Sequence, residues 1–135
     1  MDTTSKWYED PVYIKMCDNP DIQEVAIKRV KRDNGWLRAS AVGEIANATA
    51  KNGEVFTFYL GTWLPYQHQL QGMVYRYPDE SDNLWTTFNG IYDFVMQSPV
   101  LRNRYASQFT SMEQLWLAFV MKEKFNKTWT GTEWK

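Results

Sequence analysis

Apolar residues recur along this chain with two periods, a helical one and an alternating one, and the two occupy separate blocks. Tyr13, Ile14 and Cys17 follow the i, i+3, i+4 spacing that makes one stripe of a helix. Asp10-Pro11 before this stripe and Asn19-Pro20 after it are each a capping residue followed by proline at the first helical position. Two short helices, or one broken one, are therefore expected over residues 7–23. Residues 24–32 fit both periods. Ile22, Val25, Ala26 and Val30 suit a helix, while Val25 and Ile27 alternating with Ala26 and Lys28 suit a strand. Asp33-Asn34-Gly35 is a tight-turn signal, and Trp36, Leu37, Ala39, Ala41 and Val42 beyond it suit a strand. The reading leans to a hairpin whose first arm includes part of residues 25–32.

Lys51-Asn52-Gly53 is a second turn signal, and residues 54–60 after it form the best strand. Val55, Thr57 and Tyr59 face one way, and Phe56, Phe58 and Leu60 the other. Bulky residues on both faces make this a central strand. Residues 42–50, rich in Ala and Asn, read as a weaker strand or a loop. From Pro65 the helical period returns. A short helix over residues 66–75 buries Leu70, Met73 and Val74, and residues 78–83 make an acidic turn. A helix over residues 84–96 is interrupted by Asn89-Gly90 and ended by Ser98-Pro99. Thr110 with Glu113, and Ser111 with Gln114, match the capping box. The apolar run behind them, Met112 and Leu115 to Met121, gives a helix buried on most faces, with Lys122 and Lys124 complementing its dipole. Trp129, Gly131 and Trp134 suggest a small turn carrying two indoles. With no repeat and no linker, the chain reads as a single α+β domain over 1–135: a small antiparallel sheet (about residues 25–60) packed against C-terminal helices.

The chain has 135 residues, 44% hydrophobic and 23% charged, which argues against wholesale disorder. A net charge of -1 excludes a globally basic nucleic-acid coat and an acidic tail protein, but not a local patch. The aromatic share of 16% is high, and the rings either fill a small core or form a recognition surface. An exposed cluster among Trp36, Trp63, Trp129 and Trp134 would favour the second. A single cysteine, Cys17, excludes an intramolecular disulfide and fits a reducing compartment. Residues 1–6 carry no apolar signal-peptide core, and the longest apolar run, residues 115–121, is far short of the ~20 residues that span a bilayer. A cytoplasmic protein with no membrane partner is expected.

Catalytic signals are sparse. His68 stands alone, without the cysteines of a zinc site, and no nucleophile elbow or Gly-rich phosphate loop is present. Asp79, Glu80 and Asp82 lack calcium-loop spacing and read as a solvated turn. No catalytic residue, metal ligand or cofactor is assigned. The densest basic cluster is Lys28, Arg29, Lys31 and Arg32. With rings such as Trp36, Trp63 and Tyr66 it could bind phosphates and stack bases; alternatively it is the solvated face of its element.

Four segments resemble a group of small proteins encoded by bacteriophages and prophages. They are Tyr13-Ile14-Lys15-Met16-Cys17 with Pro20-Asp21-Ile22-Gln23, then Trp63-Leu64-Pro65 with Gln69-Leu70-Gln71 and Met73, then residues 111–124, and finally Trp129, Gly131 and Trp134. Where that group continues with Arg and Asp after Trp-Leu-Pro, this chain has Tyr66 and His68. The resemblance implies a phage or prophage origin and a bacterial cytoplasm, and carries over no site residues. Three functions follow as expectations. The first is a non-enzymatic accessory protein binding a host or phage macromolecule, including as an inhibitor of a host defence system. The second is binding of nucleic acid or a small nucleotide through residues 28–32. The third, last in order, is a small enzyme using dispersed carboxylates such as Glu113 or Glu123. A homo-oligomer stays open, since the apolar terminal helix could pack against its own copy.

Overall fold

The computed structural model describes residues 6–32, 35–74, 84–96 and 104–135. The chain divides into two compact units, residues 1–66 and 67–135.

The first unit begins with a 3-10 turn at Trp7–Glu9 and helix α1, Pro11–Cys17. Asp10 caps α1 by accepting from Val12 N at 3.0 Å. Helix α2 runs Pro20–Arg32, with Asn19 Oδ1 accepting from Ile22 N at 3.0 Å. Residues 24–32 are therefore helix, which corrects the expected first arm of a hairpin. Ile22, Ala26 and Val30 are buried at i, i+4, i+8, so the helical period is the one that burial uses. The turn signal has another role. Gly35, at φ 99°, donates its N–H to Val30 O at 2.8 Å and closes the end of α2. Helix caps and hairpin turns both require a left-handed residue, so the same glycine signal serves either. Asp33 and Asn34 lie outside the described residues.

The sheet follows as β1 (Trp36–Val42), β2 (Ile45–Ala50), β3 (Val55–Tyr59) and β4 (Thr62–Leu64), antiparallel and in sequence order. It thus spans residues 36–64 rather than 25–60, and the α+β class stands. β3 is interior as expected, and so is β2, the Ala- and Asn-rich stretch. Phe56 and Phe58 share a face with the β2 residues opposite them, Ala48 and Ala46. Small residues on β2 leave room there for large rings. On the other face Thr57 Oγ1 lies 2.7 Å from Asn47 Oδ1 and 2.8 Å from Tyr66 Oη. The hydroxyl has one proton to donate, so it donates to the Asn47 carbonyl oxygen and accepts from Tyr66.

Leu60 and Gly61 join β3 to β4 with φ of 46° and 90°, the two positive angles of a type I′ turn. Gly61 adopts this freely. Leu60 is 70% exposed, and its Cβ makes the conformation costly. Leu60→Asn is expected to raise stability by about 1 kcal/mol, since asparagine tolerates this region. Urea unfolding followed by circular dichroism measures it, and an unchanged or lower midpoint contradicts it.

The second unit holds α3 (Gln67–Val74), α4 (Leu84–Met96), α5 (Arg104–Ser107) and α6 (Met112–Phe125). Leu70 and Met73 are buried on α3, as the pattern predicts, and Val74 is half-buried. Asn89-Gly90 does not break α4. A Cβ at Gly90 would stand 3.0 Å from Phe119 Cζ, so the glycine serves the close approach of α4 to α6. Ser111 caps α6, its Oγ accepting from Gln114 N at 3.1 Å, while Gln114 Oε1 accepts from Thr110 N at 3.0 Å. Residues 116–121 are all buried. Asn126, at φ 55°, ends the helix. Trp129 and Trp134 pair as an antiparallel bridge with ring centroids 5.0 Å apart, and Trp129 N donates to Tyr105 Oη at 2.8 Å. The acidic turn at 78–83 and Ser98-Pro99 lie outside the described residues. No described helix is long and apolar enough to cross a membrane.

Candidate recognition surface

The basic residues of 28–32 sit on α2, and pairing separates them. Arg29 Nη1 donates to Glu54 Oε2 at 2.8 Å, with both side chains about one-fifth exposed. This joins α2 to the β2–β3 turn. Lys28 lies 3.5 Å from Glu24 one helical turn back, in solvent. Lys31 is exposed and has no ion-pair partner among the described residues. The Arg32 side chain lies outside them. Among the described side chains the cluster is therefore one ion pair within the fold, one surface pair and one cation with no carboxylate in place.

Lys31 borders a cleft of about 330 Å³ lined by Gln23, Ala26, Ile27, Val30, Lys31, Trp36, Phe58 and Gly61. One wall is α2 and the other is the aromatic face of the sheet. Trp36 is 42% exposed, standing edge-on to Phe56 and Phe58 at centroid distances of 5.4 and 6.0 Å. Ile27, on the α2 rim, is 53% exposed. Gln23 offers the cleft little, because its amide is engaged elsewhere. Nε2 donates to Cys17 O at 2.8 Å and to Trp63 O at 2.9 Å, and Oε1 accepts from Trp63 N at 2.8 Å. The cleft is thus apolar with one ammonium at its edge. Its volume lies at the lower end of the range for ligand pockets, ~300–1,000 Å³, and suits a single large side chain or a small ring.

The other ring candidates lie elsewhere. Trp63 is completely buried, 5.5 Å from Phe56 between centroids, and its indole N–H meets no acceptor among the described residues. Tyr66 is half-buried beside Trp7, with centroids 4.8 Å apart, and its hydroxyl is bonded to Thr57. Of the four tryptophans singled out from the sequence, Trp36 is exposed, Trp134 half-buried, and Trp63 and Trp129 buried, so they form no exposed cluster. The structure brings Lys31 and Trp36 to one cleft and leaves Lys28, Arg29, Trp63 and Tyr66 in other surroundings. Sequence reasoning missed Ile27, Phe58 and Gly61 as lining of this cleft, and missed Leu60, which precedes Gly61 in the chain. The available signal was Gly61 alone, a glycine directly after the strand run of residues 54–60, which marks a turn.

Among groups that carry chemistry, Cys17 is fully buried, and burial pushes its thiol well above the ordinary value, which suppresses the nucleophilic thiolate. His68 is exposed on α3. Among the described residues no three His, Cys, Asp or Glu side chains gather where they could hold a metal ion. Comparison with protein-family models, with curated proteins and with solved structures gave no match.

Proposed function

We propose that this chain is a non-enzymatic binding protein of phage or prophage origin. Its N-terminal unit engages another protein through Ile27, Lys31 and Trp36 at the α2 cleft, and through Leu60, which precedes the cleft residue Gly61 in the β3–β4 turn. The observation that carries the reading is Leu60. A leucine left 70% exposed gains little from the fold, and its left-handed backbone costs about 1 kcal/mol. Strain kept at an exposed apolar residue beside an apolar cleft is explained by a contact outside the chain. The partner that fits presents an apolar or aromatic anchor for the cleft and a carboxylate for Lys31. Inhibition of a host defence system is one form that such binding would take.

Affinity capture from bacterial lysate tests this with the wild type, Leu60→Asn and Ile27→Asp. The wild type is expected to retain one protein through nuclease and high salt. Ile27→Asp should reduce capture about tenfold or more, as loss of an interface anchor does. Leu60→Asn should weaken capture while melting higher than the wild type. An empty wild-type eluate, or equal capture by all three, overturns the proposal.

The second reading is a small nucleotide stacked on Trp36 with a phosphate at Lys31, favoured by the meeting of those two residues at one cleft. Lys28 and Arg29 already face carboxylates, which weighs against a longer nucleic acid. In the same experiment this reading gives a small nucleotide that survives nuclease and is released at high salt.

A further inference from the structure

The two edges of the sheet are treated differently. At β4 the backbone N–H and C=O of Trp63 are both taken by the Gln23 amide, which stands in for a neighbouring strand. At β1 all seven residues are exposed, including Leu37 at 59% and Val42 at 85%. Arg38 is the one charged residue in β1, and no proline blocks the edge.

Which β1 groups face outward follows from the ladder. The two-residue turn Gly43-Glu44 makes Val42 and Ile45 a hydrogen-bonded pair, and alternation adds Ser40 with Asn47 and Arg38 with Thr49. The bonds flanking β2 agree. Leu60 N donates to Glu44 O at 3.0 Å and Ala50 N to Glu54 O at 2.8 Å, so the even-numbered residues of β2 serve β3 and the odd ones serve β1. The N–H and C=O groups of Ala39 and Ala41 therefore point away from the sheet.

We infer that β1 is the seam of a homodimer, in which two copies pair their β1 strands antiparallel about a twofold axis at Ser40. In this register Ala39 lies opposite the partner's Ala41 and exchanges both N–H···O=C bonds with it. The same occurs at Ala41 by symmetry, giving four bonds across the axis. Ser40 meets its own copy, and Arg38 lies opposite the partner's Val42, so no like charges are opposed. The register irregularity of β1 falls between Trp36 and Arg38 and leaves residues 38–42 regular. This self-match favours a second copy over an unrelated strand. The two sheets join into one of eight strands.

Sedimentation velocity on the full chain, at concentrations up to about 100 µM, tests the inference. The wild type should show a concentration-dependent monomer–dimer equilibrium. Ala41→Pro removes two of the four seam donors and no β1–β2 bond, so dimerisation should weaken about tenfold or more, two net hydrogen bonds being worth that factor. Ala39→Lys, which keeps the backbone intact and places a charge on each side of the seam, should weaken it likewise. Circular dichroism confirms that both variants are folded. A wild type that stays monomeric throughout overturns the inference, as does a dimer that Ala39→Lys leaves unchanged. Neither Ala39 nor Ala41 lines the α2 cleft, so either result leaves the partner-binding proposal to its own test.

Discussion

Trp63→Ala is expected to destabilise the protein by about 3–5 kcal/mol, the largest effect of any single substitution proposed for this chain. Trp63 is completely buried, packs against Phe56, and lies on β4 directly opposite Phe58. Phe56 and Phe58 in turn meet Trp36 edge-on, so removing the indole undercuts the whole aromatic face of the sheet. Alanine leaves a cavity that close-packed neighbours fill only in part. Trp63→Phe separates two contributions. It leaves a smaller void and deletes an indole N–H that is buried without an acceptor among the described residues, a group that itself costs stability. Its loss should be less than half that of Trp63→Ala. Chemical denaturation followed by far-UV circular dichroism gives both values. Equal losses would mean that the indole N–H finds an acceptor, and a loss under 1 kcal/mol for alanine would mean that Trp63 is not a core residue.

Gln23→Leu should cost about 2–4 kcal/mol although leucine is similar in size and more apolar. The change takes the Gln23 partner from Trp63 O and Trp63 N, and removes one of two donors from Cys17 O, which keeps Asn19 N at 2.8 Å. The first two belong to a fully buried residue, where an unpaired amide is expensive. Gln23→Glu should also destabilise, because a carboxylate can still accept from Trp63 N but gives the two carbonyls no proton. Hydrogen exchange at Trp63 N–H should accelerate in Gln23→Leu and stay protected in Gln23→Glu. Equal exchange in the two would contradict the assignment of Oε1 to that amide.

The helix starts were legible because their determinants are local: Asp10-Pro11, Asn19-Pro20 and Ser111 act within a few residues. The alternation of β3 was legible for the same reason. What misled was a signal with two uses. The glycine after Asp33-Asn34 could end a helix or turn a hairpin, and only burial of Ile22, Ala26 and Val30 decides between them. β2 was underrated because its alanines look featureless in one dimension, whereas in the sheet they make room for Phe56 and Phe58. In the candidate surface, Lys31 and Trp36 were visible as a basic residue near a ring. Their company was not. Gly61 and Phe58 reach α2 by tertiary folding, and Gln23 meets Trp63 across 40 residues. Nothing local in the sequence indicates that Leu60 occupies a left-handed conformation.

Site-specific photo-crosslinking in bacterial cells tests the recognition surface most directly. A photoreactive aromatic residue would replace Leu60, Ile27 or, as a control on the other unit, the exposed Glu123. The account predicts that positions 60 and 27 yield an adduct of the same mass with one partner protein, and that position 123 does not. Absence of an adduct at 60 and 27, or the same adduct from position 123, would contradict a protein-binding surface at the α2 cleft.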